Sequence, residues 1–160
     1  MFDGPAVVQA LKRCGVTHVV WLPDSELGTW EPALRDDPDI RLIRVTREGE
    51  AIGVAAGLLI GGKQPVVAIQ CTGLFEAGDA LRNVVHDLKL PLFLIIGLRS
   101  WYAHQQHATT DTCPLFAEPI LRAWQVPYRL LDRQSRIDDL AAAYLETRTT
   151  GRAGAVFIAE

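Results

Sequence analysis

Two acids, Glu48 and Glu50, stand in Thr46-Arg47-Glu48-Gly49-Glu50, where an apolar β-rich run hands over to a helix-forming one. A carboxylate in the first turn of a helix is favoured by the helix dipole, typically by about 0.3–1 kcal/mol. Each acid therefore reads as a cap or as a placed functional group, and Glu50 fits the cap better. Gly49, Gly53 and Gly57 follow at strict i+4 spacing. Glycines on one helix face cost about 1 kcal/mol each relative to alanine. That cost points to a face that another backbone or a flat ligand approaches closely; the alternative is close packing on the domain's own sheet.

His104 and His107 lie three apart in Ala103-His104-Gln105-Gln106-His107. As metal ligands they lack a third member at useful spacing. As proton carriers in a cleft they suit neutral pH, against the plainer reading of two exposed loop histidines. His18 and His86 fall in a strand and a helix and receive no role. There is no GxGxxG or GxxxxGK[ST] phosphate loop, and Gly61-Gly62-Lys63 has the spacing of a turn. No GxSxG nucleophile elbow occurs. Cys14, Cys71 and Cys113 are odd in number and far apart, without a CxxC pair, so they read as small buried hydrophobes and not as a disulfide framework or zinc site.

These residues need elements to position them. Asp3 and Pro5 start a helix with Val7, Val8 and Leu11 on its apolar side, and Gly15 stops it. Strands are expected at 17–22, 40–45, 65–70, 91–98, 128–131 and 155–159. Helices are expected up to Leu34 and at 47–60, 74–88, 115–125 and 135–147, with 99–113 irregular. The strands are apolar throughout and not alternating, which means burial on both faces of a parallel sheet. The fold class is α/β: one doubly wound domain, a six-stranded parallel sheet with helices on both faces. Ligands of such sheets bind beyond the carboxyl ends of the strands, which selects the segments 23–25, 46–48, 71–75 and 99–111.

Composition narrows the class. A net charge of −3 with scattered Lys and Arg gives no basic surface for nucleic acid. The uncharged runs fall short of the roughly 20 residues of a membrane span. The N-terminus lacks the basic-then-apolar pattern of a secretory signal, so the expected compartment is the cytoplasm.

From Arg47 to Gly73 (REGEAIGVAAGLLIGGKQPVVAIQCTG) the chain resembles the pyrimidine-binding domain of thiamine-diphosphate enzymes. In that family an acid lies nine positions before the glycine of an A-x-G motif. Glu48 stands nine before Gly57 of Ala55-Ala56-Gly57, which selects Glu48 over Glu50. Pro23-Asp24-Ser25, Gln70–Leu74, Pro91–Arg99 and Gln106-His107 also match. The likeness is to the phosphonopyruvate- and sulfopyruvate-type decarboxylases and runs over nearly the whole chain. Gly78-Asp79-Ala80 lies in an expected helix with Asn83 too close behind it, so it is not the family's magnesium-holding G-D-G motif.

The resemblance implies the thiamine-diphosphate-binding fold over residues 1–160, with the diphosphate-binding domain, and the Mg2+ it holds, on a β-subunit partner. It implies a hetero-oligomer in which pyrimidine-binding domains pair, acting on a small 2-oxo acid. Glu48 would activate the aminopyrimidine of thiamine diphosphate, and Pro23, Thr72 and Gly73 would help to bind it. Ser25, His104 and His107 are then candidates for proton transfer or for positioning the substrate carboxylate. Arg47 and Arg99, at strand ends, are candidates for a second anionic group through forked hydrogen bonds, or for salt bridges to a partner-chain acid. No metal ligand is assigned within the chain. Two other classes stay open: a non-catalytic regulatory or scaffold copy of the fold, and a flavodoxin-like nucleotide-binding module, which lacks its phosphate loop after strand one.

Overall fold

Strand burial follows how apolar each run is. β3 (Pro65–Gln70), β4 (Phe93–Leu98) and β6 (Gly154–Ala159) bury every residue except Gln70. β1 (His18–Trp21) is buried from Val19 onwards. β2 (Arg41–Arg44) and β5 (Tyr128–Leu131) carry arginines and stay partly exposed. In a computed structural model, which describes every residue except Met1, Pro23 and Glu26, these strands form one sheet in the order β2-β1-β3-β4-β6-β5. All neighbours run parallel. The two polar strands are thus the edges, where charge discourages pairing with another chain.

Alternate residues of each strand feed two cores. Val67, Ile69, Leu94, Ile96 and Phe157 pack with α3 (Glu48–Ile60), α4 (Cys71–Glu76), α5 (Gly78–Arg82) and α7 (Cys113–Ala123). Val66, Ala68, Phe93, Ile95 and Val156 pack with α1 (Gly4–Arg13), α2 (Glu31–Asp36) and α8 (Ile137–Thr150). Phe93 meets Tyr144 of α8 edge-on at 5.4 Å. Each Val, Ile, Leu or Phe among them stabilises the fold by about 1.5–3 kcal/mol when fully buried. The doubly wound α/β expectation holds. Among the described residues no helix is long and apolar enough to cross a membrane.

Local signals act as the sequence suggests at several joints. Asp3 Oδ1 accepts the Ala6 N–H at 2.7 Å, capping α1, and Gly15 follows with φ +76°, a left-handed conformation that costs glycine little. Two segments differ from expectation. The helix expected over 74–88 begins three residues earlier, at Cys71, and is broken into α4, α5 and a π-helical turn at Asn83–Asp87. The break falls at Ala77-Gly78, where a Cβ on Gly78 would stand 3.1 Å from the Trp124 ring. The irregular segment 99–113 contains a short helix, α6 (Trp101–Gln105). Ser100 takes φ +60° and turns the chain off β4. The Tyr102 hydroxyl then accepts the Arg133 N–H at 2.8 Å, with the Arg133 guanidinium 4.0 Å above its ring.

The chain leaves β1 towards the α2 face and leaves β3 towards the α4 face. Because β1 and β3 are neighbours, their carboxyl ends flank a crevice, the place where open α/β sheets take ligands.

Candidate functional site

At the entry to α3, three acids compete for one helix end, and two of them are occupied. Glu50 Oε2 accepts from the Thr46 N–H at 3.0 Å and the Thr46 hydroxyl at 3.2 Å. Glu76, from α4, accepts the Gly49 N–H at 2.8 Å through Oε2. Its Oε1 takes Arg47 Nε at 3.1 Å and Nη2 at 2.8 Å. The Gly49 amide, then the Arg47 guanidinium, hold the Glu76 carboxyl below its usual range. Glu48, half-buried between them, makes no hydrogen bond or ion pair among the described residues. It is therefore not the cap of its own helix.

The Glu48 side chain lies instead against Gly73. A Cβ built on Gly73 would come within 2.6 Å of Glu48 Oε1. Gly73 is buried inside the first turn of α4, and exposed Thr72 beside it donates its hydroxyl to Gln70 Oε1 at 3.1 Å. The structure thus brings together Glu48 and Gly73, and places Thr72 next to them. The other glycines of α3 behave differently. A Cβ on Gly53 or Gly57 would meet nothing within 4 Å, so own-sheet packing does not explain them; Ala51, Ile52, Ala55 and Ala56 form the buried side of the helix.

Beyond β4, Asp111 organises the next segment. Its Oδ2 accepts from Arg99 Nε at 2.8 Å and from the Ser100 hydroxyl at 3.0 Å, and its Oδ1 accepts the Cys113 N–H at 3.0 Å. Burial opposes the charge, but these donors prevail and the Asp111 carboxyl titrates well below the usual range. The Cys71 thiol, in contact with Cys113 and the Arg99 backbone, is pushed up to about 12, chiefly by burial. Cys71 and Cys113 are buried free thiols, as expected, while Cys14 is half-buried.

The remaining candidates are more loosely arranged. Ser25 is exposed in the turn after β1, and Pro23 lies outside the described residues. His104 is half-buried in α6, and His107 is exposed beyond it with φ +55°. Among the described residues no hydrogen bond or ion pair joins Ser25, His104 or His107 to Glu48. His18 and His86 are used elsewhere: His18 pairs with the Thr17 hydroxyl at 2.8 Å, and His86 Nε2 meets the Trp124 carbonyl at 2.7 Å. Among the described residues no group of three or more His, Cys, Asp or Glu is placed to hold a metal ion. A concavity of about 290 Å³ opens at the amino end of the sheet, between Pro127, Thr147 and Gly154. It lies away from the carboxyl-end chemistry and brings no candidate residues together.

Sequence reasoning missed Glu76, whose partners Arg47 and Gly49 lie 29 and 27 residues away, and Asp111, which ties together the irregular segment it stands in. It also missed the crowding of Gly97 in β4, where a Cβ would lie 3.3 Å from Asp24 Oδ2 and 3.2 Å from Glu160 Cδ. The only available signal was Asp24 within Pro-Asp-Ser; its Oδ1 accepts the Leu27 N–H at 2.7 Å and caps the 3-10 turn Leu27–Trp30.

Comparison with known proteins bears on this geometry. Residues 4–117 match the family model described as thiamine pyrophosphate enzyme, N-terminal TPP binding domain. The chain is 38% identical over 94 residues to sulfopyruvate decarboxylase subunit alpha of Methanococcus maripaludis, covering 59% of this chain and 56% of that one. It is 34% identical over 95 residues to phosphonopyruvate decarboxylase of Streptomyces viridochromogenes, covering 59% of this chain and 24% of that one. It thus spans about half the length of the first relative and a quarter of the second. The crystal structure of benzoylformate decarboxylase from Polynucleobacter necessarius superposes with a TM-score of 0.72 at 22% identity, over 99% of this chain and 30% of that one, a likeness of fold.

Proposed function

The chain belongs to the thiamine pyrophosphate enzyme family, and on that footing we propose that it is the pyrimidine-binding subunit of a split 2-oxo acid decarboxylase. The observation that carries the reading is Glu48: a helix-start acid relieved of capping by Glu50 and Glu76 and turned against a glycine that leaves it room. These residues fit the cofactor's aminopyrimidine. Glu48 would hold and exchange a proton at the ring nitrogen, Gly73 keeps the approach open, and Thr72 offers a hydroxyl beside it. When bound, thiamine diphosphate supplies the electron sink for loss of carbon dioxide. The protein's part is orientation and proton placement, for which Ser25, His104 and His107 are the candidate donors.

The relative named as a subunit alpha supports a second chain, which we propose carries the diphosphate-binding domain and Mg2+. The likeness to sulfopyruvate and phosphonopyruvate decarboxylases supports a small 2-oxo acid with a second anionic group, met by Arg99 or Arg47. We place the assembly in the cytoplasm. No observation favours a scaffold copy or a nucleotide-binding module.

The test is reconstitution. The chain, its partner, thiamine diphosphate and Mg2+ are mixed, and carbon dioxide release is followed from sulfopyruvate, phosphonopyruvate and pyruvate. Turnover that requires both chains is the expected result. Full turnover by the highly purified chain alone contradicts the split reading, and none with the partner on any of the three contradicts the activity.

A further inference from the structure

Arg99 and Arg47 both follow strands at the ligand-binding edge, yet their guanidinium groups are held differently. Arg47 places Nε and Nη2 on a single oxygen of Glu76, and its side chain is 75% exposed. Its inner edge is consumed by a surface pair. Arg99 gives only Nε, to Asp111 Oδ2, and neither terminal amino group has a hydrogen-bond partner among the described residues. A guanidinium held at Nε keeps its outer pair of amino groups, which matches two oxygens of a phosphonate or sulfonate.

The holder is itself fixed. The Asp111 side chain is 15% exposed, against 45% for Arg99. Besides Arg99 it binds the Ser100 hydroxyl and the Cys113 amide, and its own N–H donates to Thr109 Oγ1 at 3.0 Å. The Ser100 contact matters because Ser100 sits at φ +60°, a strained conformation for a non-glycine residue. Asp111 thereby fixes the backbone turn that aims Arg99 as well as its guanidinium. The Arg99 backbone in turn touches the Cys71 thiol, one residue before Thr72 and two before the glycine under Glu48.

We infer that Asp111 is a positioning residue that presents the outer edge of Arg99, and not Arg47, as the subsite for a substrate's second anionic group. The inference rests on the decarboxylase reading for the identity of the substrate. Its physical content is separate: a part-buried carboxylate orients a half-exposed arginine towards a tetrahedral oxyanion. Neutralising the arginine is the opposing effect of the same carboxylate. If neutralisation dominated, removing Asp111 would strengthen anion binding. Orientation predicts the reverse.

The experiment uses the complex with the partner chain and three variants, Asp111→Ala, Asp111→Asn and Arg99→Ala, with the double variant of the two alanines. KM and kcat are measured for phosphonopyruvate and pyruvate. Binding of 3-phosphonopropionate, which has the carboxylate and phosphonate but no reactive carbonyl, is measured by calorimetry. Asp111→Ala should raise the KM for phosphonopyruvate about tenfold more than that for pyruvate, with kcat falling much less. Asp111→Asn, which keeps an acceptor for Nε, should recover most of the loss. The double variant should be no worse than Arg99→Ala alone, since the two act as one unit. Equal changes for both substrates, additive losses, or tighter binding in both Asp111 variants would overturn the inference. If no 2-oxo acid is decarboxylated, the proposed activity falls, but calorimetry still decides the subsite. Phosphonopropionate binding lost in Arg99→Ala and Asp111→Ala sustains it, and no binding to the wild-type complex refutes it.

Discussion

The turn into α3 and the turn out of β4 are built from the same parts, an arginine and a carboxylate at the carboxyl edge of one sheet, and they do opposite things. Into α3, the pair Arg47–Glu76 is mostly exposed and does structural work: Glu76 caps Gly49, and Glu50 ties down Thr46. The residue of interest, Glu48, is the one left out. Beyond β4, the carboxylate is the more buried member and the arginine is the one left outward. The lesson is that a functional group is recognised by what its neighbours do for it. Surplus acids release Glu48, and a fixed acid aims Arg99.

The largest effect short of removing Glu48 should come from filling the space beside it. Gly73→Ala brings a methyl group to 2.6 Å from Glu48 Oε1 and displaces the side chain. Turnover of the assembled enzyme should fall about a hundredfold, as misplacing a reacting group by an ångström does. Unchanged turnover would mean that Glu48 does not need its seat against Gly73.

A smaller effect reads the β4 junction through pH. Asp111 has its folded pKa depressed, so its stabilising contribution is present above the unfolded value of about 3.9 and drains away as pH falls through the depressed one. Asp111→Asn should therefore remove part of the acid-side loss of stability below about pH 4. Urea midpoints measured from pH 7 down to pH 2 check this; a loss as steep as in the wild type contradicts the depressed pKa.

Smaller still is the contrast between glycines. Gly53 faces open space, so Gly53→Ala should raise the stability of the isolated chain by about 1 kcal/mol through helix propensity. Thermal melting reads this, and a destabilised chain would reveal a contact at that face. Least of all should be Glu50→Gln, which keeps an oxygen for Thr46 and should cost well under about 1 kcal/mol of stability and little activity.

Much of the frame was legible because it is local. Pro65–Gln70 and Tyr128–Leu131 are strands over the expected residues, and the helix that begins at Glu48 ends at Ile60 before Gly61-Gly62. The spacing to Gly57 singles out Glu48 through the family resemblance alone; its lack of a hydrogen bond among the described residues and its seat against Gly73 are visible only in the fold. What escaped depends on contacts that sequence spacing does not encode. Thr72-Gly73 reads as part of the loop beyond the third strand, yet Gly73 sits in a helical turn under Glu48, 25 residues earlier in the chain. The short helix after β4 hides behind Ser100, whose left-handed turn is held by Asp111. Glu76 bonds Gly49 across 27 residues, beyond any periodicity.

The central claim is that Glu48 carries the proton chemistry of this domain. The direct measurement is C2 hydrogen–deuterium exchange of thiamine diphosphate, followed by NMR in the complex with the partner chain, for wild type, Glu48→Gln and Glu50→Gln. Glutamine keeps the size of Glu48 and loses the ionisable oxygen, so the account predicts an intact complex in which exchange is slower by orders of magnitude, while Glu50→Gln exchanges as the wild type does. Exchange as fast in Glu48→Gln as in the wild type would contradict it.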